Sequence, residues 1–255
     1  MSKDLEFALE LANAADSISL ARFRSLDLKI ETKPDRTPVT DADRAVEQKL
    51  RNLIAQHRPE DAVIGEEFGS RAGSREWIID PIDGTANFLR GLPIWATLIA
   101  LRINGELELS VVSAPAMGRR WWAETGSGSH TKDIDGTIRA IGVSAVSKLE
   151  DSYVSFNSIG QWDQIGGAAR LTELSRRVWK DRAFGDFLSY MFVAEGQIEM
   201  AAEPDLKLHD IAALVPIVRE AGGTFTALDG ELSDQTSAVI ASNGLLHGEF
   251  LEILS

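Results

Sequence analysis

The chain has 255 residues, 44% hydrophobic and 25% charged, a balance that excludes a disordered protein and supplies enough apolar material for a substantial core. A formal charge of -13 without any block of Lys and Arg excludes recognition of a nucleic-acid backbone, which needs cations to displace counterions. With no cysteine, neither disulfides nor thiolate metal sites can form.

The first segment, MSKDLEFALELANAADSISLARF, repeats apolar residues at helical spacing with acids between them. It lacks the unbroken apolar stretch and small-residue cleavage site of a signal peptide, so it reads as a helix of a cytoplasmic protein. The most apolar internal run, Ile94 to Ile103, is too short to span a bilayer, and no membrane partner is expected. Carboxylates next to turn signals follow. KPDRTPVTDAD (Lys33 to Asp43) carries Asp41 and Asp43, and AVIGEEFG (Ala62 to Gly69) is a short apolar strand end followed by Glu66 and Glu67.

The most informative run is WIIDPIDGTANFLR, Trp77 to Arg90. Trp77, Ile78 and Ile79 read as the end of a buried strand, Pro81 stops its ladder pairing, and Gly84 allows a sharp turn into a helix starting near Thr85. Asp80 and Asp83 are held at that turn, with the Ile82 carbonyl between them. A hard cation such as Mg²⁺ takes oxygen ligands of this kind, and the free N–H groups of the following helix favour an anion such as phosphate. Asp, Pro and Gly also dominate ordinary turns. An ordinary turn, however, does not call for the apolar strand, the second Asp and Phe88 together.

Strands come next. WATLIALRI and ELELSVVSAP flank Asn104–Gly105, a type I′ hairpin turn by composition, and RRWWAETG supplies a third strand with Trp121 and Trp122 as sheet packing. The glycine-rich TGSGSHTKDIDG (Thr125 to Gly136) lacks the lysine and helix of a P-loop and reads as a hairpin loop. Beyond Ser144, strand SYVSF, a helix near Ile165 to Val178, a strand, a helix from Phe187 to Glu195, strand IEMAA, a helix, and strands GTFTAL and AVIAS alternate. Such alternation implies sheets covered by helices, an α+β fold. The last of these helices, LHDIAALVPIVREAGG (Leu208 to Gly223), has Asp210 in its first turn, where an acid also serves simply to stabilise the helix dipole. No linker divides the chain. It is expected to be one catalytic unit over 1–255, in two tightly joined halves of approximately 1–143 and 144–255.

The run DPIDGT with its flanking strand and Phe88 resembles the first signature of the inositol monophosphatase family of Mg²⁺-dependent phosphatases. VTDAD, GEE and the helix-initial Asp210 fall in the same family order, so the resemblance spans nearly the whole chain. In one place it departs, since His209 stands where the family usually carries Trp. The resemblance implies a layered αβαβα sandwich with mixed and antiparallel sheets, a homodimer, and hydrolysis of a small phosphate ester with two or three Mg²⁺ ions. It assigns Glu66, Asp80, Asp83, Asp210 and the Ile82 carbonyl to the metals, and Thr85 with Asp43 to the attacking water, Glu66 being counted with the catalytic groups. Asp83, Gly84, Thr85 and Asp210 would also meet the substrate. His57, His130 and His247 belong to no such cluster and are expected at the surface.

RAFGDFLSY (Arg182 to Tyr190), the RRWWA strand and the AAEP turn at Glu203 resemble the histidinol-phosphatase branch. Members acting on inositol phosphates usually carry a small hydroxyl or aliphatic residue where this chain has Asp186. A carboxylate there can pair with the ammonium or imidazole of histidinol phosphate, whereas a neutral polyol gives a buried Asp little reason to be present. Asp186 alternatively caps the next helix, and Arg182 either touches substrate or pairs with Asp186. Inositol-1-phosphatase or broad sugar-phosphate phosphatase activity, and a non-catalytic metal-binding protein, are the competing readings. The last would not need Thr85 or Asp43.

Overall fold

The computed structural model describes residues 1–32, 38–69 and 73–255, so Lys33 to Thr37 of the KPDRTPVTDAD segment lie outside the described residues. In chain order the elements are α1 (Lys3–Arg22), β1 (Ile30–Thr32), β2 (Pro38–Thr40), α2 (Asp41–His57), β3 (Ala62–Gly65), β4 (Arg75–Asp83), α3 (Thr85–Arg90), β5 (Ala96–Ile103), β6 (Glu106–Ala114), β7 (Arg119–Glu124), β8 (Ser129–Lys132), β9 (Ile138–Ile141) and β10 (Tyr153–Phe156). They continue with α4 (Ile159–Gln164), α5 (Ala168–Arg177), β11 (Lys180–Arg182), α6 (Asp186–Ala194), β12 (Met200–Pro204), α7 (Leu208–Ile211), α8 (Leu214–Glu220), β13 (Thr224–Ala227), β14 (Ala238–Ser242) and α9 (His247–Leu254). No helix among the described residues is long and apolar enough to cross a membrane.

Two sheets carry the fold. One has seven strands in sequential order from β3 to β9, and the other five in the order β11-β10-β12-β14-β13. β3 runs parallel to β4, and β10 runs parallel to both β11 and β12; the remaining pairs in these sheets are antiparallel. Strand alternation sends one set of side chains to each face. Trp77, Ile79, Ile99, Leu101 and Val111 meet α1 and α2, while Ile78, Leu98, Ala100, Val112 and Trp121 face a central layer. That layer is α6 and α8, whose other side packs on Ala201, Phe225, Val239 and Ala241 of the second sheet. Beyond that sheet, Trp162, Leu171, Leu174, Phe250 and Leu254 of α4, α5 and α9 form the outermost cluster. The order is helix, sheet, helix, sheet, helix, as expected.

α1 begins where Ser2 accepts the Leu5 N–H at 3.1 Å, and its stripe Leu5, Ala8, Leu11, Ala15, Ser19 is buried at helical spacing. Asn104 and Gly105 both have positive φ, as a type I′ turn requires.

Several boundaries differ from expectation. β4 does not end at Ile79: it pairs with β5 through Asp80↔Leu98, skips a rung at Pro81 and Ile82, and resumes at Asp83↔Ala96. Pro81 has no N–H to give the ladder, yet its carbonyl accepts Thr97 Oγ1 at 2.9 Å, so the strand bulges instead of stopping. The helix expected near Ile165 to Val178 is α5, which starts at Ala168; a separate short helix, α4, precedes it and is closed by Gly166 with φ +70°. The helix over Leu208 to Gly223 is likewise α7 and α8. Pro216 would remove the hydrogen bond to Ala212 and crowd its carbonyl, so a continuous helix is excluded there. The glycine-rich Thr125 to Gly136 is not a loop throughout: it contains β8, which pairs with both β7 and β9. His247 is buried, with Nδ1 2.9 Å from Ser242 Oγ and Nε2 3.1 Å from Thr226 Oγ1, and burial lowers its pKa. His130 is half-buried, stacked on Trp122, while His57 is exposed.

Candidate metal and substrate site

The β4 bulge aims the acids. Ile82 N–H donates to Asp80 Oδ1 at 3.0 Å, closing a local turn inside the bulge. Gly84 then adopts φ +80°, and a Cβ there would sit 2.9 Å from the Ile94 carbonyl, so only glycine joins β4 to α3. Asp210 arrives from the other half of the chain at the start of α7, where its Oδ2 accepts the Lys207 N–H at 2.6 Å. Oxygens of Asp80, Asp83 and Asp210 lie within 4.8 Å of one another.

These three acids share a cavity of about 440 Å³ with Glu66, Ile82, Gly84, Thr85, Asp186 and Glu203. The carboxylates and the Ile82 carbonyl supply the hard-oxygen set that suits Mg²⁺, with Lys207 and His209 also in the wall. Thr85 Oγ1 donates to the Ile82 carbonyl at 3.0 Å, which leaves that oxygen a second lone pair. Asp43 is buried at the start of α2, where Oδ2 accepts both the N–H and the hydroxyl of Thr40, at 2.8 and 2.5 Å. It is not in the cavity wall. Asp41 is turned elsewhere and pairs with Arg22 at 2.8 Å.

Asp186, also in the cavity wall, is the first residue of α6 and holds a left-handed φ of +50°. It does not cap the helix. Its Oδ2 accepts Asn87 Nδ2 at 2.8 Å from α3, while the neighbouring Phe187 N–H donates to Asp83 Oδ2 at 2.8 Å. Glu203, on β12, is buried and accepts the Asn157 amide. Arg182 stands apart, exposed at the end of β11 with Nη1 on the Asp181 carbonyl at 2.7 Å. Among the described residues it forms no ion pair with Asp186 and is not part of the cavity wall, so neither expected role is met. His209 lines the cavity with Nε2 3.6 Å from Asp210 Oδ1, too long for a hydrogen bond.

The electrostatics are those of a site that wants cations. Burial, then the charges of Glu66, Asp83 and Asp210, pushes Asp80 well above the usual carboxylate range. Burial and Asp186 do the same to Asp83, and burial raises Asp210 against the pull of His209. Desolvation lifts Asp43 to about 6, and Asp186 to about 6 against its Asn87 hydrogen bond. Glu203 is pushed up to about 8 by burial and by the charges of Asp186 and Asp210.

An acid whose folded pKa is raised stabilises the fold fully below its unfolded pKa and loses that contribution as pH rises through the folded value. Metal-free protein is therefore expected to lose melting temperature as pH rises from about 4 to about 8, the Asp43 and Asp186 contributions being gone by about 6 and that of Glu203 by about 8. His247 acts in the opposite sense near neutral pH, so the deciding comparison is Glu203→Gln, which should flatten the upper part of the decline. Mg²⁺ should raise the melting temperature more at pH 8 than at pH 5. Calorimetry in chelator and in Mg²⁺ checks both, and a Mg²⁺ effect independent of pH would contradict the account.

The sequence matches the inositol monophosphatase family over residues 1–255. The chain belongs to the inositol monophosphatase family. A histidinol-phosphatase of Mycobacterium tuberculosis is 49% identical over 254 residues, covering 99% of this chain and 98% of that protein. The solved IMPase of Thermotoga maritima superposes with a TM-score of 0.89 at 30% identity, covering 99% of this chain and 97% of its own. An IMPase/NADP phosphatase solved with Mg²⁺ and phosphate gives a TM-score of 0.85 at 27% identity, over 98% of this chain and 94% of its own. This member of the family is a phosphoric monoester hydrolase, and the non-catalytic reading is set aside. Its cavity also includes Asn157, Gln161, Asp205, Leu206 and Lys207, which the sequence reading passed over. Asp205 to Lys207 lie between Glu203 and Asp210, so that continuity was a usable signal. Asn157 and Gln161 follow β10 with no motif to mark them.

Proposed function

We propose that this phosphatase is a Mg²⁺-dependent histidinol-phosphatase, hydrolysing histidinol phosphate to histidinol and phosphate in histidine biosynthesis. The observation that carries the reading is the placement of Asp186 and Glu203 in the same cavity as the Asp80, Asp83 and Asp210 cluster. Further carboxylates beside a metal cluster suit a substrate with phosphate at one end and cationic groups at the other. The 49% identity to a histidinol-phosphatase over nearly the full length supports the same substrate.

Glu66, Asp80, Asp83, Asp210 and the Ile82 carbonyl are assigned to hold two or three Mg²⁺ ions. Bound there, the ions would lower the pKa of a water and neutralise charge on the phosphoryl and leaving oxygens. Thr85, whose hydroxyl proton is spent on Ile82, keeps lone pairs to accept a hydrogen bond from the attacking water. Asp43, buried behind the cavity wall, is assigned by the family resemblance to help orient that water. Gly84 and Thr85 border the cavity at the start of α3 and offer the phosphate backbone N–H groups, while Asp186 and Glu203 receive the ammonium and imidazole. The lining comes from both halves of the chain, residues 38–86 and 157–210, which supports the reading of one catalytic unit. A cytoplasmic homodimer is the proposed setting, and sedimentation at twice the 27.8 kDa chain mass would check the dimer.

Purified protein with Mg²⁺ should show kcat/KM for histidinol phosphate at least about tenfold above inositol 1-phosphate and adenosine 3′,5′-bisphosphate, the discrimination worth about 1.4 kcal/mol. A preference for inositol phosphate would overturn the substrate and leave the phosphatase intact.

A further inference from the structure

Helix α2 carries a second acid one turn beyond Asp43. Glu47 is fully buried, and its carboxylate meets the segment that follows β3. Its Oε2 accepts the Glu67 N–H at 2.7 Å and its Oε1 accepts the Phe68 N–H at 3.2 Å. Oε1 also accepts Arg51 Nε at 2.7 Å, and Arg51 Nη2 reaches the Gly69 carbonyl at 2.5 Å. On the other side of Glu66, Gly65 is fitted to the same carboxylate. A Cβ at Gly65 would lie 2.0 Å from Glu47 Oε1, so the glycine is required for space and not for its dihedral angles. Glu66 is thereby bracketed by Glu47 from the residue before it to the two residues after it.

A buried carboxylate needs an explanation, because removing it from water is unfavourable unless it is paired and hydrogen-bonded. Here the pairing is complete, through two backbone N–H groups and a guanidinium. Yet Glu47 sits in a quarter already crowded with acids, one helical turn from Asp43, where an apolar side chain would fill the core without adding repulsion. What an apolar residue cannot do is hold the segment carrying Glu66.

We propose that Glu47, supported by Arg51, is a positioning residue that fixes the peptide following Glu66 and so sets the geometry with which Glu66 serves the metal cluster. This rests on the ligand role assigned to Glu66 above. Groups that orient a metal ligand typically change metal affinity by about ten- to a hundredfold when replaced. Glu47→Gln is nearly isosteric but turns an NH₂ group toward backbone donors.

The test is a Mn²⁺ titration of the purified full chain by electron paramagnetic resonance, beside the Mg²⁺ dependence of turnover. Glu47→Gln should bind Mn²⁺ about ten- to a hundredfold more weakly, with kcat largely restored at saturating Mg²⁺. The loss should disappear in a Glu66→Gln background, since the two act through one ligand. Arg51→Gln, on the more exposed side of the helix, should shift affinity in the same direction by less, and it serves if Glu47→Gln does not fold. Unchanged Mn²⁺ affinity in these variants, with only a lower melting temperature, would make the pair merely structural and overturn the proposal. A full additional loss in the Glu66→Gln background would overturn it too. If Glu66→Gln alone binds Mn²⁺ like wild type, the ligand role of Glu66 fails first and the positioning role with it.

Discussion

Asp83→Asn is expected to reduce kcat by about a thousandfold or more while leaving the fold intact, the equivalent of roughly 4 kcal/mol of transition-state stabilisation. The amide retains an oxygen that can accept the Phe187 N–H now held by Asp83 Oδ2 at 2.8 Å, so the contact between the β4 turn and α6 survives. What is lost is charge. Asp83 lies with Asp80 and Asp210 in a group whose oxygens are within 4.8 Å of one another, and an uncharged member weakens any cation held there. The same change relieves repulsion in the metal-free protein, because burial and the charge of Asp186 already disfavour the ionised form of Asp83. The variant should therefore melt no lower than wild type without metal, and gain less on adding Mg²⁺. Turnover, circular dichroism and calorimetry read the three effects together. Retention of more than about a tenth of wild-type turnover at saturating Mg²⁺ would remove Asp83 from the ligand set.

Much of this arrangement was legible because the local chemistry and the fold agree. Trp77 to Ile79 alternate between two apolar layers, Gly84 takes the left-handed turn that only glycine fits, and the helix after it starts at Thr85. The misses have equally local causes. Pro81 in sequence predicts the end of a strand, whereas the neighbouring Thr97 hydroxyl satisfies its carbonyl and the ladder recovers two residues on. Pro216 was in plain view inside a helical pattern, and its missing N–H is what separates α7 from α8. β8 went unrecognised because the residues it buries are Ser129 and Thr131, which give no hydrophobic alternation. The part of the site at Asp186 and Glu203 was the least legible. Asn87 and Asp186 are 99 positions apart and meet only in the folded chain, and nothing in the order of residues around Asn157 announces its bond to Glu203.

The specificity role proposed for Asp186 is tested by Asp186→Asn, the substitution that isolates its charge. Asn tolerates the left-handed backbone at this position and keeps an acceptor for Asn87 Nδ2, whereas Ser would give up that acceptor and fit the backbone less well. If the carboxylate receives a cationic group of histidinol phosphate, losing one charge-assisted hydrogen bond should lower kcat/KM for that substrate by about ten- to a hundredfold, or roughly 1.5–3 kcal/mol. Hydrolysis of glycerol phosphate or inositol phosphate, which offer no cation, should change far less. The difference should also depend on pH. Asp186 without metal takes a proton at about 6, so its preference for a cation is present above that value and fades below it. Asp186→Asn should therefore match wild type in the ratio of the two substrates at low pH and diverge from it as pH rises. Equal losses on charged and uncharged substrates, at every pH, would show that the Asn87 to Asp186 bond only braces α3 against α6, and specificity would then have to be sought at Glu203, Asn157 and Gln161.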